Sequence, residues 1–209
     1  MILAARAPYP RSRALRPLLV ALRTCDPPLW QHSWRVAALA GRLGIALHGD
    51  PTATPEERRL VLSDLWLAGL LHDCGKLAWP ADLRAGYGAR RLALILAHPV
   101  AGAALLPPPL ATLGPWIRHH HEWWDGGGYP AGLCGIAIPA GARVLAVADA
   151  YAAMTEARPY QAARRPAQAL QELSRGAATQ FDPLLVRLVA RLAALGQWPG
   201  APGCGEDRR

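Results

Sequence analysis

Apolar residues recur at three- and four-residue intervals in nearly every segment of this chain, and clusters of Pro and Gly cut it into pieces of helix length. Strand-like alternation is poor throughout. The pattern predicts an all-α protein, a bundle of helices separated by loops. An Arg- and Pro-rich arm leads into a short helix around Ala14 to Arg23, and the two make up residues 1–24. A helix from Pro28 to about Leu47 carries His32 and Arg35 together with Val36, Leu39, Leu43 and Leu47. Thr54 with Glu57 three residues on is a capping-box arrangement for the next helix, which should run to about Gly75 and leave His72 and Asp73 in its last turn. A further helix ends near His98-Pro99, Pro107-Pro108-Pro109 breaks the chain, and helix resumes from Leu110 to His121. After a loop from Asp125 to Gly135, Pro139 opens a helix bearing Asp149, and two more cover Pro166 to Arg175 and Pro183 to Leu195. One domain over residues 25–195 is expected, followed by a flexible Pro- and Gly-rich tail at 196–209.

At 209 residues and 52% hydrophobic content the chain can bury a sizeable core. The apolar run from Leu60 to Leu71 contains Asp64 and is too short to span a bilayer, and the N-terminus has no signal-peptide pattern. A cytoplasmic protein without membrane contact is expected. Cys25, Cys74, Cys134 and Cys204 are scattered with no CxxC, which suggests neither a zinc knuckle nor a redox pair. The net charge of +8 is spread along the chain rather than gathered in one basic run, so nucleic-acid binding is not indicated. Of the 23 Lys+Arg residues only Lys76 is lysine. A compact ammonium on a flexible stem suits a place beside phosphate, where a planar guanidinium is no substitute.

Lys76 lies in Leu71-His72-Asp73-Cys74-Gly75-Lys76, and well downstream stands HHEWWDGGGYP, from His120 to Pro130. The second string sets adjacent histidines and an acid before a glycine-rich turn, which exposes the residues preceding it. With Ala142 to Asp149, Arg158-Pro159-Tyr160 and Phe181-Asp182-Pro183, these strings resemble the HD-GYP branch of the HD metal-dependent phosphohydrolases, over about Trp30 to Leu192. The resemblance implies an HD-domain helical bundle with a dinuclear metal site in its core cleft. It also implies hydrolysis of cyclic di-GMP to pGpG, and onward to GMP, by a metal-bridging hydroxide. On the same likeness Asp73 bridges two divalent ions; His32, His72 and Asp149 complete one, and His98, His120 and His121 the other. The ions of such a site sit about 3.5–4 Å apart. A set of five imidazoles and two carboxylates suits iron or manganese better than magnesium.

Asp73 and Lys76 are the candidate catalytic residues, and Lys76, Tyr129 and Arg158 the candidate substrate contacts. Consecutive helical residues diverge by roughly 100°, so His120 and His121 can converge on one ion near a helix end while His119 points away. His119 and His48 are then left over. Two readings stand for Glu122, an acceptor that orients a ligand histidine or a solvated loop acid. Arg158 either grips a guanine or phosphate or caps a helix end. Tyr129 either meets the nucleotide or packs on Trp123 or Trp124.

The chain departs from the family pattern at several points. Pro28 stands where many relatives have a glutamate, which argues against a third metal. Gln161 replaces a basic residue, and Ala152 replaces the second Asp of a D-x-x-D pattern. The segment between Pro80 and His98 is shortened, which makes His98 the least secure ligand. Two alternatives to the cyclic di-GMP enzyme follow: another HD-type nucleotide phosphohydrolase, or a non-catalytic module that senses the dinucleotide or contacts a diguanylate cyclase through the GYP loop.

Overall fold

The computed structural model describes residues 9–80, 89–157 and 162–200, and among them there are helices and turns, with a lone β-bridge between Ala177 and Phe181 in place of any strand. The all-α expectation holds. The helices are α1 (Tyr9–Cys25), α2 (Pro27–His48), α3 (Pro55–Arg58), α4 (Leu62–Leu71), α5 (Ala89–Ala104), α6 (Gly114–Arg118), α7 (Ala140–Thr155), α8 (Pro166–Arg175) and α9 (Pro183–Ala194). Short 3₁₀ turns occupy Cys74–Ala78, Pro108–Leu113 and Gly135–Ala137.

Two helices form the centre. α2 buries Leu29, Val36, Leu39, Leu43 and Leu47 along one stripe, and His32 and Ser33 fall on that same stripe. The helical period thus carries His32 inward. Asp26 caps α2 by accepting from the Leu29 N–H at 3.0 Å. α7 is buried on almost every side, from Ala140 through Ala152, and packs against α2, α4, α6 and α8. Its small residues allow the close approach. Around this pair, α5 packs on α6 and on the Cys74–Ala78 turn, while α1 reaches α2 and places Leu22 in the core. No helix among the described residues is long and apolar enough to cross a membrane.

Several boundaries differ from the sequence pattern: α1 already begins at Tyr9, inside the stretch expected to be an arm, and is 17 residues long instead of a short helix from Ala14. The capping box of Thr54 and Glu57 is present, but α3 lasts only four residues. Val61 is extended, and His48 Nε2 donates to the Leu60 carbonyl at 2.8 Å, so the chain turns there before α4 begins. α5 runs through Pro99 instead of stopping at it. The helix before the GYP string ends at Arg118, leaving His119, His120 and His121 in a turn. The segment after Gly196 also packs at first: Trp198 is fully buried, Tyr151 donates to the Pro199 carbonyl at 2.7 Å, and Arg42 donates to the Gln197 carbonyl at 2.6 Å. Only 201–209 of the expected tail lies outside the described residues, as do Arg158, Gln161 and the shortened stretch at 81–88.

Arg143 ties three elements together. It donates to Glu57 of α3 at 2.6 Å, to Asp182 at the head of α9 at 2.5 Å, and to the Ile138 carbonyl at 3.0 Å. All three charged residues are buried.

Candidate metal centre

Helix ends and three helix interiors deliver seven side chains to a single point. His72 is the C-cap of α4 and Asp73 opens the following 3₁₀ turn, so Gly75 is not the end of a helix as expected. Its role is contact. A Cβ on Gly75 would stand 2.1 Å from the His98 carbonyl oxygen, so only glycine lets this turn lie against α5. α5 supplies His98, the turn after α6 supplies His120 and His121, α2 supplies His32, and α7 supplies Asp149. Ligand atoms of Asp73, His98, His120 and His121 lie within 4.8 Å of one another, as do those of His32, His72 and Asp73, and those of His72, His120 and Asp149. All seven predicted ligand positions are therefore brought together, His98 included.

Asp73 sits between two halves of the cluster. Its Oδ1 is 2.9 Å from His98 Nε2, and its Oδ2 is 3.3 Å from His72 Nε2 and paired with the Lys76 ammonium. On the far side of His72, Asp149 Oδ1 lies 2.9 Å from His32 Nε2 and 3.8 Å from His72 Nε2.

The imidazole tautomers favour metal. Nδ1 of His72, His98 and His120 each donates to the carbonyl three residues back, Gly69 at 2.8 Å, Ile95 at 2.5 Å and Ile117 at 2.7 Å. A carbonyl only accepts, so the proton is on Nδ1 and the lone pair is on Nε2. These carbonyls are available because α4 and α6 end there, and because Pro99 has no N–H to occupy the Ile95 carbonyl four residues before it. The three Nε2 atoms are buried and lack a hydrogen-bond partner; the His98–Asp73 approach is close but not aligned for one. Three orphaned lone pairs converging on a carboxylate are costly unless a cation fills the space between them. The residues thus fit divalent metal.

Charge follows the same division. Burial works to raise the Asp73 carboxyl, but Lys76 and His72 hold it well below the usual carboxylate range. Burial also opposes ionisation of Asp149, and His32 outweighs it and keeps the group low. Burial pushes His121 down to about 4, and burial with the neighbouring charge of His121 holds His120 well below the ordinary imidazole range. Neutral imidazole is the ligating form. Burial alone would lower His32 too, but its bonds to Asp149 and Glu156 raise it to about 9. The Cys74 thiol, pushed up to about 12 by burial and by Asp73, is not a thiolate.

The GYP turn folds back over this cluster. The Tyr129 N–H donates to the His121 carbonyl at 3.1 Å, and its ring stacks on His121 with centroids 5.0 Å apart, so Tyr129 packs on a candidate ligand rather than on Trp123 or Trp124. A Cβ on Gly128 would lie 2.2 Å from the Trp123 nitrogen, which fixes glycine at that crossing. Glu122 is a buried acid, neither solvated nor bonded to a histidine of the cluster. It accepts from Ala131 N at 2.8 Å, Leu133 N at 3.1 Å and His119 Nδ1 at 3.2 Å, and so pins the turn. His119 has a partner after all.

One residue of the centre had not been anticipated. Glu156 Oε2 is 2.8 Å from His32 Nδ1. The signal lay in the sequence: an acid seven residues after Asp149 stands two helical turns on and on the same side.

The family profile described as an HD domain matches residues 26–185, which span all seven clustered side chains. A cyclic di-GMP phosphodiesterase of Pseudomonas aeruginosa is 35% identical over 188 residues, covering 87% of this chain and 42% of that protein. The cyclic di-GMP phosphodiesterase response regulator RpfG of Xanthomonas campestris pv. campestris is 38% identical over 132 residues, 60% of this chain and 35% of that protein. The chain thus spans less than half the length of these relatives. A solved cyclic GMP-AMP-specific phosphodiesterase of Vibrio cholerae has the same fold, with a TM-score of 0.60 at 22% identity over 85% of this chain and 47% of that one. With its His-Asp pair at the meeting point of the helices and the profile matched over most of its length, the chain belongs to the HD-domain family.

Proposed function

We propose that the cluster holds two divalent ions, iron or manganese, and that the domain hydrolyses cyclic di-GMP to linear pGpG, with GMP as the further product. Asp73 would serve both ions; His32, His72 and Asp149 would hold one, and His98, His120 and His121 the other. The observation that carries this reading is the set of three buried, unpartnered Nε2 lone pairs around a carboxylate whose two oxygens face opposite halves of the cluster. The substrate is inferred from what the relatives are named for. Bound ions supply Lewis acidity toward phosphate and lower the pKa of the attacking water.

The chain's own groups bind and orient. In hydrolysis a bond forms from the water oxygen to phosphorus, the bond from phosphorus to the ribose 3′-oxygen breaks, and that oxygen leaves with a proton. Lys76, paired with Asp73 and partly exposed, offers its ammonium to the non-bridging phosphate oxygens. Burial and the charges of Asp73 and Asp149 raise the Tyr129 hydroxyl pKa, so it stays a donor toward the nucleotide. Arg158 is assigned to a guanine or phosphate contact. The loop from Asp125 to Gly135, with Trp123 and Ile136 exposed beside it, is the face assigned to a diguanylate cyclase.

Protein loaded with ferrous iron or manganese under reducing conditions should convert cyclic di-GMP to pGpG, and a chelator should stop it. Lys76→Ala should lower kcat more than it raises KM. Tight binding without product would reject the enzyme in favour of a sensor. Faster turnover of cyclic GMP-AMP than of cyclic di-GMP would reject the substrate assignment.

A further inference from the structure

Four histidines of the cluster have an assigned Nδ1 partner, and one of them differs in kind. His72, His98 and His120 give Nδ1–H to backbone carbonyls left over at helix ends or opposite a proline. His32 lies inside α2, where the carbonyls three and four residues back belong to the helix ladder. Only a side chain from another element can fix its tautomer. Glu156 is placed to do so: its Oε2 meets His32 Nδ1 at 2.8 Å, which leaves Nε2, 2.9 Å from Asp149, for an ion.

Glu156 is itself held. Its backbone N–H donates to the Ala152 carbonyl at 3.1 Å, closing the last turn of α7. Its second oxygen faces Arg35 Nε at 3.4 Å, and Arg35 also donates to Thr155 Oγ1 at 3.2 Å. Both Asp149 and Glu156 thus come from one face of α7, and they grip the two nitrogens of one ring on α2. The side chain at 152, one turn after Asp149, is alanine and makes no such contact possible there.

We infer that Glu156 is the positioning residue of the half-site built on His32, accepting a hydrogen bond from its Nδ1–H and so aiming Nε2 at the ion. This rests on the two-metal reading above. Carboxylate partners of ligating histidines typically govern metal affinity by about 10- to 100-fold.

Cobalt(II) is the probe, titrated into the metal-free chain by calorimetry and visible absorption. Wild type should bind two equivalents. Glu156→Ala should bind one with unchanged affinity and the second about 10- to 100-fold more weakly, with an altered ligand-field spectrum. Glu156→Gln, whose amide oxygen still accepts from Nδ1, should recover most of that affinity; it also serves if the alanine variant folds poorly. Two equivalents at wild-type affinity and spectrum in Glu156→Ala would overturn the inference. Wild type that takes two cobalt ions while leaving cyclic di-GMP intact would sink the phosphodiesterase reading alone, and uptake of fewer than two ions would sink both.

Discussion

Replacing Arg143 by Met keeps most of the apolar stem and removes the cation that joins α3, α7 and α9. Glu57 and Asp182 are left facing each other, with side-chain exposures of 4% and 2%. Removing one partner of a buried ion pair costs about 3–5 kcal/mol, because the remaining charge is uncompensated. The second acid adds little here, since Glu57 keeps the Thr54 N–H at 2.7 Å and Asp182 keeps the Leu184 N–H at 2.8 Å. At about 2–4 °C of Tm per kcal/mol for a chain of this size, the loss is about 6–20 °C.

The sign of the pH dependence is set by Glu57. Burial works to raise its carboxyl, but Thr54 and Arg143 hold it below the ordinary value. A depressed folded pKa contributes stability above the unfolded value, about 4.3, that is lost as pH falls below it. Without Arg143 one of the groups that lowers it is gone, so the variant gains less stability than wild type as pH rises through this range. The deficit is therefore largest near pH 7 and smaller at pH 4. Urea denaturation of metal-free protein at the two pH values measures it. A deficit below about 1 kcal/mol at pH 7, under the cost cited for a broken buried pair, or one that does not shrink at pH 4, would refute the role given to the triad.

Asp73→Ala should lose both ions, because each half of the cluster loses a donor and the shared negative charge is gone, while His48→Ala, whose ring bonds the Leu60 carbonyl, should keep wild-type metal content; metal analysis of the purified variants decides. Anomalous scattering from metal-loaded crystals should show two peaks and no third, since Pro28 offers no donor one turn before His32. Pro99→Ala restores an N–H aimed at the Ile95 carbonyl that His98 Nδ1 now uses, and should weaken one metal by about tenfold; unchanged affinity for both ions would show that the carbonyl serves the two donors at once.

How much of this was legible in the chain can be judged from single residues. The helical spacing of Val36, Leu39, Leu43 and Leu47 was legible as a helix carrying His32, because a period of 3.6 fixes which residues share a face whatever they pack against. The boundaries of α8 and α9 follow from Pro at their first positions, a local rule. The likeness carried by the HD and GYP strings named the seven clustered positions. It did not assign Glu122 or Glu156, whose partners lie on other elements.

Only the folded chain decided the rest. The break at Val61, the continuation of α5 through Pro99 and the end of α6 at Arg118 are set by bonds to distant residues and by carbonyls claimed by side chains. Glu156 and His32 are 124 positions apart. Spacing along a chain shows which residues share a helix face; which face meets which depends on how the helices cross, and that is a property of the packed core.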